Sequence, residues 1–398
     1  MSTRSVRHPF NRPGMLDTSF RLDPHPDGEV RAVAVSNTQK VYIGGFFSHV
    51  GGLPRKNIAC LNSNGSVDQN FEPDDTGYVN AVVVHQGEVL AGGGDLNIFS
   101  GSGSVNTGFA ENVESIGVGN VNALLPTAGG ILVGGTANVP GARARADYVV
   151  FRLTNSGRLD PGFEPAHTNG FVFSIALTPD GKVLVGGNFT TVNDLPYGSV
   201  VRLHGNGTID TSFAEGSGFF GGQQFVRTVA PMLGGGTLVG GGLHANGVHQ
   251  VVRLNYDGSP DPTFNQGENG ASQILRASAV QPEHRFLIAG DLAYYNQIER
   301  RKIARINQDG SLDPTFIPDR IQGAQINDIA LYPKDKVVIV GSFSEIGGTP
   351  IRSVARLHTG KPLVIPDEDE IGEEEPPESG EEPRKVKKRV EPPPSSKK

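Results

Sequence analysis

Short apolar runs recur along the chain, several of them alternating with polar positions, and they are separated by Gly, Pro, Asn and Asp. Residues 172–177 alternate with the two-residue period of a half-buried strand, and Pro179-Asp180-Gly181 then supplies turn chemistry. Residues 182–187 form a second apolar run that ends in Gly186-Gly187, and residues 199–203 predict a third strand. The glycines and asparagine of His204-Gly205-Asn206-Gly207 tolerate the positive φ of a hairpin turn, and residues 208–213 predict a fourth strand. The stretch 171–213 therefore reads as one four-stranded antiparallel sheet, with strands a to d.

The same order repeats. An apolar residue, Asp, two variable residues and Phe occur as Leu16-Asp17…Phe20, Val67-Asp68…Phe71, Leu159-Asp160…Phe163, Ile209-Asp210…Phe213, Pro260-Asp261…Phe264 and Leu312-Asp313…Phe316, with a variant copy at Val105-Asn106…Phe109. These phenylalanines are about fifty residues apart except between Phe71 and Phe109, where the unit is short. A four-stranded unit of this length in tandem is the signature of a β-propeller blade. The expected fold is all-β, a single seven-bladed β-propeller of four-stranded antiparallel blades. The chain opens with a strand d and its last unit stops after strand c. Residues 16–20 are therefore expected to pair with residues 353–357 and close the ring, which removes an open sheet edge. The domain reading is an arm at 1–15, the propeller at 16–358 and a tail at 359–398.

Two sets of residues carry a family resemblance: Pro179-Asp180-Gly181-Lys182 with Val185-Gly186-Gly187-Asn188-Phe189, and Ile303-Ala304-Arg305-Ile306-Asn307 with Asp309-Gly310. In these words the chain resembles the bacterial delta-60 repeat β-propellers. The resemblance implies the fold and leaves function open, since most of that family are large surface or secreted proteins of unknown role.

In such a blade the a–b and c–d turns share one face, and the b–c loops and d–a crossovers share the other. The first set is tight and built from turn residues, as at 179–182 and 307–310. The second is long, as at 189–198, 292–302 and 343–352, so binding is expected there. In the short second unit Gly92-Gly93-Gly94-Asp95-Leu96 passes almost directly into the next strand, which predicts a notch at one blade. Exposed aromatic and arginine side chains dominate interface hot spots. The candidate contact residues are Phe219 and Phe220, Tyr294 and Tyr295 with Arg300 and Arg301, Tyr197, and Arg143 with Arg145.

Catalytic motifs are sparse. Asn-Gly and Asp-Gly turns followed by Asp, as in Asp309-Gly310…Asp313, resemble calcium loops in outline but lack the terminal bidentate Glu, and read as structural turns. The histidines are scattered, His244 and His249 being a close pair without a third ligand, so no metal or other cofactor is expected. Gly-Gly pairs in strand b precede no helix and are explained by close backbone approach rather than by phosphate binding. Arginines at 152, 202, 253, 305 and 356 on strand c and Asp at the start of strand d predict a charged pair within each blade, with Cys60 and Asn106 as exceptions.

Composition sharpens this in three places. With 54 Gly and 28 Pro in 398 residues and no Gly-X-Y period, collagen is excluded and long helices are disfavoured. A single cysteine removes a disulfide framework or a cysteine zinc site. The net charge of −7 argues against nucleic-acid binding by the propeller. No run reaches the 18 or more apolar residues of a membrane span, and no signal-peptide pattern stands at the start, so no membrane association is expected and the chain is expected in the cytoplasm or in a particle assembled there. From Lys361 onward acidic residues, then basic ones, alternate with prolines, which predicts a disordered tail. The functional expectation is a non-catalytic interaction scaffold that binds a protein or glycan through the long-loop face, in one variant as a structural component of a larger assembly such as a phage virion or secretion-type particle. The alternative is a hydrolase or lyase acting on saccharide at an axial-channel site.

Overall fold

The computed structural model describes residues 12–141, 147–213 and 224–360. Most of the expected arm and tail, together with Arg143, Arg145, Phe219 and Phe220, lie outside the described residues.

Seven antiparallel sheets follow one another among the described residues, each ordered a, b, c. Sheet 1 is Glu29–Val35, Val41–Phe46 and Ile58–Leu61; sheet 2 is Val79–His85, Glu88–Gly93 and Leu96–Phe99. Sheet 3 is Gly119–Thr127, Gly130–Ala137 and Asp147–Leu153, and sheet 4 is Val172–Leu177, Val183–Gly187 and Val200–Leu203. Phe225–Pro231, Thr237–Ala245 and Val248–Leu254 make sheet 5, and Leu275–Gln281, Arg285–Gly290 and Ile303–Ile306 make sheet 6. Sheet 7 is Ile321–Tyr332, Lys336–Ile346 and Val354–His358. Strand a of each sheet packs on strand a of the next, and strand a of sheet 7 packs on strand a of sheet 1.

The expected strand d is reduced to one bridged residue. Val67, Val105, Leu159, Ile209, Pro260 and Leu312 each bridge the end of the preceding strand c, and Leu16 bridges Leu357 in the same way. The cause is the Asp that follows. Its N–H still donates to strand c, as from Asp210 to Arg202 O at 2.9 Å and from Asp17 to Arg356 O at 2.8 Å. Its Oδ1, however, accepts the N–H two residues on, at 3.1 Å from Ser212 and 3.0 Å from Ser19. This Asx-turn takes the chain out of the ladder. Sheet 3 regains a strand on the outer side of strand c, Ala166–His167, farther along it.

The short unit departs further. Asn106 caps an α-helix, Thr107–Ser115, its side chain accepting the Phe109 N–H at 3.1 Å. Phe109 and Val113 bury the inner side of this helix against the cores of sheets 2 and 3.

The strand-b glycines make room in two directions. A Cβ on Gly44 would stand 2.4 Å from Val79 Cγ1 in the next sheet, and one on Gly45 would stand 2.1 Å from the Glu29 carbonyl of its own strand a. Gly186 and Gly187 repeat this against Val226 and Phe171. The second approach arises because every strand a carries a register shift near its start, as between Val30 and Ala32 or Val226 and Thr228. This β-bulge brings the two backbones together.

Candidate functional site

The arginines of strand c bind within a sheet and between sheets. Arg202 Nε donates to Asp210 Oδ2 at 2.7 Å, and its Nη1 donates to the Tyr256 carbonyl of the next sheet's turn at 2.6 Å. Arg152, Arg253 and Arg305 do the same toward Gly205, Gln308 and Thr359. Arg356 pairs with Asp17 at 2.7 Å and reaches Ser63 O at 2.8 Å. Each guanidinium also lies over the repeat Phe, at 4.6 Å from the ring centre for Arg202 on Phe213. Burial alone would raise the Asp210 carboxyl, but bonds from Lys182, Ser212 and Arg202 hold it well below the usual range. In sheet 1 the position belongs to Cys60. Burial and the nearby Asp68 push its thiol up to about 12, and Lys40 pairs with Asp68 instead at 2.7 Å. These pairs are structural.

The long b–c loops fold into hairpins. His49–Val50 with Leu53–Pro54, Thr191–Val192 with Leu195–Pro196, and Tyr294–Tyr295 with Ile298–Glu299 pair in two-residue-turn hairpins; strands b and c of sheet 5 extend into a similar one, and in sheet 7 the end of strand b pairs with Thr349–Pro350 in another. Both central turn residues have positive φ, for example 47° and 65° at Asn193 and Asp194, and 46° and 64° at Asn296 and Gln297, the pattern of a type I′ turn. The turn N–H also ties down to the preceding crossover, from Asn193 to His167 O at 2.8 Å and from Asn296 to Gly270 O at 2.9 Å.

Within this frame the sequence-predicted contact residues separate. Tyr295 is fully buried, its hydroxyl donating to Gly310 O at 2.6 Å, and Tyr197 is buried in the core of sheet 4. Both anchor loops and present no contact surface, because the side chain that points inward is what holds each loop to its sheet. Arg300 is also nearly buried, its Nη1 on the Glu299 carbonyl, while Arg301 pairs with Glu299 at the surface. Tyr294 is about half exposed, as are Leu195 and Ile298, which sequence reading did not single out.

Sequence reading also missed a cavity of about 540 Å³ whose wall takes residues from the first strand of all seven sheets. At or beside the seven bulges stand Arg31, Asn80, Asn122, Phe173, Arg227, Arg276 and Asn327. Each directly follows a buried apolar residue of strand a (Val30, Val79, Val121, Val172, Val226, Leu275 or Ile326), so the column was readable from the repeat. Strand a begins where strand b ends, with Glu29 opposite Phe46, so this end of the cavity lies on the hairpin side.

One arc of that column is locked. Asn327 donates to Glu29 at 3.0 Å, Glu29 accepts from Arg31 Nε at 2.9 Å, Arg31 donates to Asn80 at 3.0 Å, and Asn80 to Asn122 at 2.9 Å. The other arc is cationic. Arg276 is held by both oxygens of Asp291, at 3.0 and 3.3 Å. Arg227 lies over Phe173 with its guanidinium carbon 4.1 Å from the ring centre, its enclosed Nε has no partner, and no carboxylate pairs with it among the described residues. Burial, then repulsion from Arg276, lowers its basicity, partly offset by Asp291. Deeper in the wall, Asp328 accepts the Val33 N–H at 2.9 Å and that of Ile329 at 2.8 Å. Enclosure pushes its carboxyl up to about 7 despite these bonds, although the residue keeps part of its surface toward the cavity. Among the described residues no three His, Cys, Asp or Glu side chains gather as a metal site requires.

The DUF5122 β-propeller, a domain of unknown function, matches residues 40–71, 178–213, 236–264 and 285–316. The WD40 β-propeller domain of Doa1 superposes with a TM-score of 0.58 at 14% identity, covering 88% of this chain and 98% of that one. The fold is a β-propeller. A second propeller neighbour is virginiamycin B lyase from Staphylococcus aureus, as a catalytically inactive variant with quinupristin, with a TM-score of 0.53 at 12% identity over 85% of this chain and 97% of that one. At these identities the likeness concerns the fold. Among proteins of curated function, none matches the sequence.

Proposed function

We propose that the chain is a seven-bladed propeller closed by its own N-terminal residues, and that it works as a non-catalytic interaction platform. Closure rests on Leu16 bridging Leu357 as each strand-d residue bridges its own sheet, and on Arg356 reaching from Asp17 to the turn of sheet 1. The platform is the hairpin face. The observation that carries this reading is the mounting of the hairpins, with type I′ turns tied to the crossovers and one inward side chain each, at Val50, Val192, Val248, Tyr295 and Ile346. Rigid loops lose little entropy on binding, which favours recognition of a preformed protein or glycan surface. Leu195, Tyr294 and Ile298 supply exposed apolar contacts on that face. Membership of a larger particle is a variant of the same reading.

The alternative, an enzyme with an axial site, is favoured by the raised Asp328 carboxyl in the wall of the channel. Saccharide hydrolysis needs a second carboxylate across the substrate, and Glu29 is committed to Arg31 and Asn327. The test is capture of partners from the native source with wild type and with a Leu195→Ser, Tyr294→Ala, Ile298→Ser variant. Loss of a specific partner supports the platform. Equal recovery removes the hairpin face as its site, and turnover of a saccharide abolished by Asp328→Asn would establish the alternative.

A further inference from the structure

The cationic arc of the channel mouth leaves one arginine without a carboxylate partner. Arg31 is paired with Glu29 and Arg276 with Asp291, whereas no carboxylate pairs with Arg227 among the described residues; Lys302 donates to the Asp291 carbonyl, and Asp328 lies deeper in the wall. The Arg227 guanidinium carbon lies 4.1 Å from the Phe173 ring centre, and Arg276 is held by two bonds to Asp291 through Nε and Nη2, with no bond from its Nη1 among the described residues. Two guanidinium groups on neighbouring first strands, near enough to repel each other, suit a shared carboxylate. A dianion such as phosphate would meet the carboxylates of Glu29 and Asp328 in the same wall, with Asp291 beside Arg276. Next to these forks, strands a of sheets 4 to 6 present the hydroxyls of Ser174, Thr228 and Ser278, the last two bonded to each other at 2.6 Å. They provide donors and acceptors for a hydroxylated ligand. The cavity, at about 540 Å³, has the size of a small-molecule site.

We propose that this arc binds a monoanionic hydroxycarboxylate, a sugar acid either free or at the end of a saccharide chain, with its carboxylate on Arg227 and Arg276 and its hydroxyls toward Ser174, Thr228 and Ser278. The site is separate from the hairpin contacts and does not depend on them.

Calorimetric titration of the full chain tests this with four probes: glucuronate, a disaccharide ending in glucuronate, glucose and inorganic phosphate. The expected result is binding of glucuronate, with glucose and phosphate at least tenfold weaker. The disaccharide arm separates the sources, tighter binding indicating a chain end and equal or weaker binding the free acid. Arg227→Gln is expected to weaken glucuronate about tenfold or more, as loss of a charge-assisted bond does. The Leu195, Tyr294, Ile298 variant is expected to bind glucuronate as wild type does, which separates failure of this site from failure of the platform. No heat with glucuronate, equal binding of glucose or phosphate, or an unchanged Arg227→Gln would overturn the proposal. Should Arg227→Gln fold poorly, the ligand selectivity of the wild type decides alone.

Discussion

Replacing Arg202 by Met isolates what the strand-c arginine does. Arg202 and Asp210 are both nearly fully buried, so the pair has little solvent to screen it. The substitution keeps much of the aliphatic stem but removes the bond to Asp210, the bond to Ser212 and the one to the Tyr256 carbonyl, and it empties the space between the Phe213 and Tyr256 rings. Breaking a buried pair by removing one partner costs about 3–5 kcal/mol. Asp210 keeps Lys182 at 2.8 Å, which places the expected loss near the lower end, about 3 kcal/mol. Arg253 makes the same set of bonds with both partners more exposed, at 18% and 13% of their side-chain surface. Arg253→Met should therefore cost about 1–2 kcal/mol. Urea unfolding of both variants, with unchanged slopes so that midpoints compare directly, reads the difference. The sign with pH follows from the depressed Asp210 carboxyl: its contribution is present above the ordinary carboxylate range and lost as pH falls through the lower folded value. The penalty of Arg202→Met should therefore shrink in acid. A loss below about 1 kcal/mol, or a larger loss at Arg253, would refute the argument from burial.

Gly45→Ala, whose Cβ would meet a backbone carbonyl at 2.1 Å, should cost about 2–3 kcal/mol, whereas Gly87→Ala, with open space and only its φ of 86° to strain, should cost about 1 kcal/mol; equal thermal shifts would contradict this. Tyr295→Phe should cost about 1 kcal/mol by removing one buried bond to the Gly310 carbonyl, which keeps the Asn265 amide as a donor, and Tyr294→Ala less than about 0.5 kcal/mol, in chemical denaturation. Asp328 has a raised carboxyl, so its ionisation opposes folding as pH rises from the ordinary carboxylate range through about 7. Asp328→Asn removes this ionisation but loses one of the two backbone N–H bonds, so relative to wild type the variant should gain about 1–2 kcal/mol between pH 4 and pH 8, a figure reduced because the residue keeps access to channel water.

The repeat made the sheets, their turns and the Arg–Asp pairs legible, because each rests on local chemistry stated several times over. Strand d was overestimated because the Asp that marks it is also the residue whose side chain ends it. Tyr197 and Tyr295 were misplaced because a ten-residue loop has no periodicity to tell which side chain points inward; only the type I′ hairpin decides that. Asn106 already stood out as the exception in the Asp column, and its capping of a helix explains why. The channel column escaped because its members share a position and no chemistry: three arginines, three asparagines and one phenylalanine.

Closure of the propeller by its N-terminal residues is tested most directly by amide hydrogen exchange of the intact chain. The Gly14 N–H donates to His358 O at 2.7 Å, that of Asp17 to Arg356 O at 2.8 Å, and that of His358 to Met15 O at 2.9 Å. These amides should exchange as slowly as those of Asp68, Asp210 and Asp313, which hold the same place in their own sheets, because opening them requires sub-global unfolding. Exchange of residues 14–17 at the rate of a free peptide, with the other strand-d amides still protected, would contradict closure.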